Sequence, residues 1–588
     1  MPAYRDKDPL DQRRRYSTLQ STLWTERTSG FDQHWRDLAE YLLPRRTRFT
    51  VSDRNKGEKD RSNKTIIDST GRFAARTLAS GLHAGLTSPA RPWMQLTVPD
   101  PGMQRYQPVQ VWLHDVAQRM LTVFATSNLY NVLPLVYLDM GVFGTGAMGL
   151  LEDQHDVFRA YPYALGSYAF GLDARGMITT WVRVVELTVR QLVEQFGVAR
   201  NGRDIDWSHI SRRVHDQWDR GNYEAPVQVT WIIAPNERTR GDRLEAKYLP
   251  WASCHFETES NDPPFLRESG FREFPIMAPR WDITGEDTYG TDCPGMTALG
   301  DVRQLQNMQK EKGKLLAKAV MPPLKGPSAL RGRHPSLLPG DMTYVDVREG
   351  TQGLAPIHEV RLEGFQHISA DIAQVQYRIQ RAFFEDLFLM LTRGDEARDS
   401  GAPITAREVD ERHEEKLLAL GPVLERTNDE LLDPLVDRVF AMMDRAHLLP
   451  PPPPELHGVR LGTEYISILA QAQKMVGVAT HDRLMNSVLP TVQVFPEMRH
   501  KIDPFALVDT YAEMLGVDPR IIIATDVAQQ SLAQERRMQA AQVATEQAAT
   551  AAKAAKDASQ TPMTGDTALA RVMQAAQAQQ PAGTPPAM

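Results

Sequence analysis

TDCPGMTALGDVRQLQNMQKEKGKLLAKA (residues 291–319) and LEGFQHISADIAQVQYRIQRAFFEDLFLM (residues 362–390) are the two stretches around which the chain is organised. The first sets Val302, Leu305, Met308 and Leu316 among Arg303, Lys310, Lys312, Lys314 and Lys318. The second carries Ile368, Ile372, Val375, Ile379 and Phe383 at i, i+4, i+7 spacing, the signature of one apolar helical face. PP, GP and PG pairs break the chain between them, over residues 320–361, where 342–347 (MTYVDV) and 354–360 read as strands. A polar loop, 391–403, leads into a long helical pattern over 404–448. That helix places Leu417, Leu420, Leu424, Leu431, Leu435 and Val439 at heptad-like spacing, and Gly421-Pro422 is expected to kink it. Lys310, Lys314 and Lys318 stand at i, i+4, i+8 and share one helix face. By spacing alone that face is either solvated or turned toward a partner.

Composition bounds the rest. The 588 residues are 42% hydrophobic and 24% charged, an ordinary globular balance with material for several domains. A net charge of −7 argues against a protein that coats nucleic acid over its whole surface, but leaves room for local basic patches. The two cysteines, Cys254 and Cys293, are far apart and lack ligand spacing, which speaks against a disulfide framework or a zinc site and for a reducing compartment. MPAYRDKDPLDQRRRY at the start has no apolar core of a secretory signal. The most apolar run, 132–151, contains Asp139 and several Gly and Ala positions, and falls short of a membrane span.

Residues 10–43 read as helix, broken near Ser29-Gly30 and ended by Pro44. Residues 45–64 are basic and aperiodic, a solvated loop or a contact for nucleic acid or a partner. Asp68 or Ser69 caps a helix whose apolar face is assigned to Phe73, Leu78 and Leu82. A strand over 93–98 and helices over 109–126 and 129–143 follow. Strands are then expected at 157–161, 178–186, 227–234, 245–251 and 273–277, interrupted by helices at 189–196 and 207–220. Residues 1–290 are therefore α+β. After the prolines of 450–454 come short helices at 464–476, 481–488, 504–515 and 519–525. From 527 the chain is Ala/Gln-rich, one helix to near Ala558 and then a disordered tail.

Residues 144–149 spell G-x-G-x-x-G, but helix precedes and strand follows. A dinucleotide site needs the reverse order, so this reads as a helix-to-strand turn. No P-loop, H-E-x-x-H or G-x-S-x-G occurs, and the fifteen histidines form no ligand cluster. No catalytic, cofactor-binding or metal-binding residue is assigned, and no cofactor is expected.

The run IIDSTGRFAARTLASGLHAGLTSPARPWMQL (66–96) resembles the portal, or head-to-tail connecting, protein family of short-tailed bacteriophages. So do LLPRRTRF (42–49), FGTGAMGLLED (143–153), YGTDCPGMTALGDVRQLQNMQKEKGKLLAKAVMPPL (289–324), FFEDLFLML (383–391) and APITAREVDERHEEKLLALGPVLERTNDELLDPLVDR (402–438), in the family's order. The last usually opens Thr-Ala-Thr-Glu-Val, and here Arg407 departs from that pattern. The resemblance covers about residues 10–525.

The resemblance implies an α+β portal fold. Its parts would be a wing (1–290), stem helices (291–319 and 362–390), a small β-containing clip (320–361), a tunnel loop (391–403), a long kinked wing helix (404–448), a helical wing and crown region (449–526) and a crown helix or disordered tail (527–588). It implies a ring of twelve subunits at one capsid vertex of the virion, assembled in the host cytoplasm. Double-stranded DNA would cross the ring in packaging and ejection. The terminase large subunit would dock first, head–tail adaptor and tail proteins later, with major capsid and scaffolding proteins around it and no membrane. It implies no enzymatic activity. Lys310, Lys314 and Lys318 on the stem, with Arg393 and Arg398 in the tunnel loop, are the DNA-channel candidates. The competing classes are a DNA-packaging enzyme and another phage structural protein such as a scaffold or tail component.

Overall fold

Helix α1 (Pro9–Gly30) starts where Asp8 accepts the Leu10 amide at 3.0 Å, with a proline in the first turn that has no amide to leave unpaired. The structure is a computed structural model and describes residues 8–44, 46–49, 66–104, 106–153, 155–197, 204–239, 245–325, 355–356, 364–388, 420–466, 503–508, 521, 523 and 525–559. Helix α2 (Asp32–Tyr41) follows at once and buries Trp35, Leu38 and Ala39. The chain then stays on the body. Arg46 pairs with the buried Asp139, Thr47 is buried, and the Arg48 amide donates to the Leu165 carbonyl at 2.8 Å. Residues 46–49 are thus not the solvated loop that their basic composition suggested.

Helix α3 (Thr70–Leu86) buries Gly71, Ala74, Ala75, Leu78, Ala79 and Leu82. Phe73, expected on that face, is 62% exposed. Small residues carry the contact instead, because the neighbours come too close for a ring. A Cβ on Gly71 would stand 2.9 Å from Leu42 Cδ2 and 3.1 Å from Val302 Cγ2. Strand β1 (Met94–Thr97), helix α4 (Pro101–Gln104), helix α5 (Gln107–Thr126) and helix α6 (Leu129–Phe143) come next. Helix α6 ends on Gly144 at φ +80°, a left-handed cap that favours glycine, and strand β2 (Met148–Asp153) follows. The G-x-G-x-x-G run is the helix-to-strand turn that its order indicated.

Strands β3 (Val157–Pro162), β4 (Tyr168–Leu172) and β5 (Ile178–Thr188) lead to helices α7 (Val189–Phe196) and α8 (Arg212–Asp219). Strands β6 (Pro226–Pro235), β7 (Trp251–Glu257), β8 (Arg267–Phe271) and β9 (Ile276–Met277) complete two antiparallel sheets, ordered β3-β2-β9 and β4-β5-β6-β7-β8. The strand expected at 245–251 is mostly a 3-10 turn, Ala246–Tyr248. There the carbonyls of Lys247 and Leu249 accept Asn236 Nδ2, and Pro250 has no amide to pair. The strand expected at 273–277 shrinks to β9 because Pro275 likewise cannot donate.

Helix α9 (Pro294–Val320), the short pair β10 (Leu324–Lys325) and β11 (Ala355–Pro356), and helix α10 (Gly364–Ala382) form the central hairpin. The strand expected at 342–347 lies outside the described residues. Residues 420–427 are helical and a π-turn follows at Asn428–Leu432, while the part of the long helix before 420, on which the kink expected at Gly421-Pro422 depends, lies outside the described residues. Pro434 explains its place: the proline has no amide for the carbonyl four residues back, so the turn widens before helix α11 (Asp433–Arg445). Strand β12 (Gly462–Tyr465) pairs with β1, Met94 opposite Tyr465, where a helix was expected from 464. One continuous core joins α2, α3, α5, α6, the sheet β3-β2-β9, α11 and the near ends of α9 and α10. The second compact unit, Phe495–Met588, contains helix α12 (Thr525–Ser559), which agrees with the helix expected to near Ala558.

Arg280 ties the π-turn to the sheets. Its Nη2 lies 2.6 Å from Glu430 Oε1, its amide donates to Glu430 Oε2 at 2.8 Å, and the two side chains are only 3% and 11% exposed. Removing the arginine strands a buried carboxylate. Arg280→Ala is expected to cost about 3–5 kcal/mol, and Glu430→Gln, which keeps the shape, distinctly less. Urea unfolding of both variants measures this, and equal losses would refute it.

Candidate functional site

The hairpin is anchored by one segment, residues 67–68. Gln306, itself buried, accepts the amides of Ile67 and Asp68 on Oε1 at 2.7 and 2.9 Å, and its Nε2 donates to the Asp68 carbonyl at 2.9 Å. The Asp68 carboxylate accepts Gln309 Nε2 at 2.9 Å from α9 and Gln376 Nε2 at 2.8 Å from α10. Its other oxygen takes the Thr70 amide and hydroxyl at 2.8 and 2.6 Å. Partial burial alone would raise the Asp68 pKa. The hydrogen bonds from Thr70, Gln376 and Gln309 outweigh it and hold the carboxyl below its ordinary range. Around this clamp Val302, Leu305, Ile372, Val375 and Ile379 are buried. Asp301 meets Arg378 at 2.8 Å near one end of the hairpin and β10 pairs with β11 at the other, so the helices run antiparallel.

Past Met308 helix α9 buries nothing among the described residues. Leu316 and Val320 continue the stripe of Val302 and Leu305 yet are 49% and 69% exposed. Lys310, Lys314 and Lys318 are exposed together on a face turned by roughly 145° from that stripe at about 100° per residue. Lys314 Nζ pairs with Glu311 at 2.7 Å. That hydrogen bond and charge, helped by Lys310 and Lys318, hold the Glu311 carboxyl below its ordinary range. One carboxylate therefore sits among three ammonium groups. Arg393 and Arg398 lie outside the described residues, so the structure brings together only the lysines. Asp68, Gln306, Gln309 and Gln376 were not read from the sequence. The one available signal was Gln306 and Gln309 at i, i+3 on an otherwise apolar face.

Burial pushes the Cys293 thiol up to about 12 and raises Cys254 further, and it lowers His255 to about 3. Among the described residues no three His, Cys, Asp or Glu side chains are placed to hold a metal, and no single helix is long and apolar enough to cross a membrane.

Residues 13–523 match the family model described as bacteriophage head to tail connecting protein. The chain belongs to this family. The portal protein of Salmonella phage epsilon15 is 43% identical over 559 residues, which is 95% of this chain and 97% of that protein. The probable portal protein of Bordetella phage BPP-1 is 40% identical over 535 residues, 90% and 93% of the two. Among solved structures, the neck of an empty GTA particle aligns over 76% of this chain and 88% of its own, at 12% identity and a TM-score of 0.31. A head-to-tail connecting protein is a structural part of the virion, at the junction that its family description names.

The lowered pKa of Asp68 fixes a sign. A carboxyl whose folded pKa is depressed adds stability above its unfolded pKa and loses it as pH falls through the folded value. Asp68→Ala is therefore expected to lower the melting temperature at pH 7 and to lower it less at pH 3. Thermal melts of both proteins at the two pH values check it. A pH-independent loss would show that the carboxylate charge is not what holds the clamp.

Proposed function

We propose that the chain is the portal of a short-tailed bacteriophage: a ring of identical subunits, twelve in number, at one capsid vertex, through which double-stranded DNA is packaged and ejected. On this reading α9 and α10 are the stem, residues 320–361 the clip, 391–403 the tunnel loop, and 527–588 the crown helix and tail. The observation that carries the reading is the two-faced hairpin. Among the described residues an apolar stripe continues along α9 as the exposed Leu316 and Val320, while a separate face carries the exposed Lys310, Lys314 and Lys318. A neighbouring copy packed side by side would cover the first and leave the second free, which suits a heterologous interface that closes into a ring.

Repeated around the ring, each of Lys310, Lys314 and Lys318 becomes a circle of positive charge facing the channel, joined by Arg393 and Arg398 from the tunnel loop. Neutralised phosphates add salt-dependent affinity, so a few rings in a chain of net charge −7 guide DNA without gripping it. The terminase large subunit and later the adaptor and tail proteins would dock at the clip, with capsid and scaffolding proteins around the wing. Assembly would take place in the host cytoplasm. Nucleotide hydrolysis by the purified chain would instead favour a packaging enzyme.

Negative-stain images of the purified chain are expected to show rings with a central hole, and monomers or solid particles would sink the portal reading. The triple variant K310E/K314E/K318E is expected to form the same rings and to lower the DNA packaged per particle at least about tenfold, in line with several lost phosphate contacts. Rings with undiminished packaging would remove the lysines from the channel wall while leaving the portal reading intact. Deleting residues after 526 is expected to leave ring assembly unchanged in the same images.

A further inference from the structure

The five prolines Pro450–Pro454 are held in one conformation by their own chemistry. Proline fixes φ at about −65°, and a residue that precedes proline is pushed into extended backbone, so each of residues 450–453 is constrained at both torsions. The run is a polyproline II rod, and Pro453 shows it with φ −55° and ψ 148°. Only Pro454, which precedes Glu455, is free to leave the rod, and it opens the 3-10 turn Pro454–Leu456.

Both ends are tied to the body. Ahead of the rod, Arg119 Nη1 of α5 donates to the Leu448 carbonyl at 2.8 Å, and at its start Trp112 Nε1 donates to the Pro450 carbonyl at 3.1 Å. Beyond it, the Leu456 amide donates to the Pro453 carbonyl at 3.0 Å, and Leu456 is buried. Exposure along the rod follows the three-residue period of polyproline II: Pro450 and Pro453 are half-buried, whereas Pro451, Pro452 and Pro454 are exposed. One ridge of the three-sided rod thus faces the body and two face solvent, Pro451 with Pro454 on one and Pro452 on the other. Pro451 and Pro454 stand one turn, about 9 Å, apart. The carbonyls of Pro451 and Pro452 accept no hydrogen bond among the described residues.

We infer that this rod docks in a groove of another protein that is lined by aromatic rings and carries a carboxylate at one end. Flat rings pack into the notches between successive proline rings, and two free ridges are what such a groove takes. A rod without amides offers only acceptors, so its partner must supply donors, as an indole does. Trp112 already makes that bond to Pro450 within the chain. Arg119 is exposed at the Leu448 end and makes no ion pair among the described residues, which complements a carboxylate there. Stiffness alone would not call for such a run, since the body already holds both of its ends. The rod loses little conformational freedom on binding, because proline and the two anchors have removed it beforehand. Docking at the rod is independent of the portal reading, which rests on the hairpin.

Surface plasmon resonance with the full-length protein immobilised tests it, with an isolated SH3 domain whose proline groove has an acidic pocket as the probe. The wild-type protein is expected to bind the domain, and free decaproline peptide to compete. P451A/P454A is expected to bind at least about tenfold more weakly, as loss of central anchors does, at an unchanged melting temperature. Pro452→Ala, on the second free ridge, is expected to act in the same direction. Arg119→Gln is expected to weaken binding about threefold at low salt and to have no effect at high salt. Three results overturn the inference: no binding of the domain by the wild-type protein, equal binding by P451A/P454A, or failure of decaproline to compete. Loss of the oligomer in P451A/P454A would also overturn it, because the rod would then be held by a second copy of this chain.

Discussion

The clamp of Gln306, Gln309 and Gln376 on residues 67–68 is the constraint on which the hairpin depends. Beyond it α9 buries nothing more among the described residues, so a force on that end of the helix acts on the base as on a lever. A purely apolar base would allow the two helices to slide, since hydrophobic contact has no direction. Five hydrogen bonds with fixed donors and acceptors do not allow sliding. Two of the glutamines lie on α9 and one on α10, and all three meet one short segment at the start of α3. The same place has Gly71 against Leu42, Val302 and Ile379, so backbone approach and polar register are set together. A buried amide that loses its partner costs about 1–3 kcal/mol, more than the bond contributes when made, so the clamp specifies geometry more than it adds stability.

Buried ion pairs do similar work in the body. Arg27–Asp32 joins α1 to α2, Arg46–Asp139 fastens the stretch after α2 to α6, and Arg280–Glu430 fastens the π-turn to the sheets. Burial raises Asp139 to about 6 even against the pull of Arg46, which shows desolvation prevailing over the pairing. Such pairs contribute little net stability. They penalise any packing in which one partner is buried alone, and so they discriminate among arrangements of a largely apolar core.

These two kinds of contact also mark where reading the sequence stopped. The long helices α5, α6, α9 and α12 were legible because their composition and period come from local chain geometry. Strands were legible where apolar residues alternate, as in β5 and β6, and were misplaced where a proline removed a pairing amide, as at Pro250 and Pro275. Phe73 was assigned to the wrong face because hydrophobicity alone ranks a phenylalanine above an alanine, whereas packing distance ranks them the other way. Arg46 looked solvated because its partner, Asp139, is 93 residues away. Asp139 itself was conspicuous, a lone carboxylate in the most apolar run, and a buried carboxylate calls for a cation that the sequence does not point to. The lysine face of α9 was fully legible, since residues at i, i+4 and i+8 meet by helix geometry alone.

The buried pairs and the α9 face use different basic residues. Every buried pair named above takes arginine, whose planar fork makes several directed bonds and stays charged when desolvated. The exposed face of α9 takes lysine at all three positions, a compact and strongly hydrated charge on a flexible stem. An arginine face would make bidentate bonds to phosphate and hold a polyanion in one register. A lysine face attracts through a field without choosing a register, so a polyanion moving along it meets shallow wells instead of deep ones. If the stem lines a DNA channel, this choice of residue favours passage over capture. Arginine in these buried pairs and lysine on the α9 face are then two uses of the same difference in hydration and geometry.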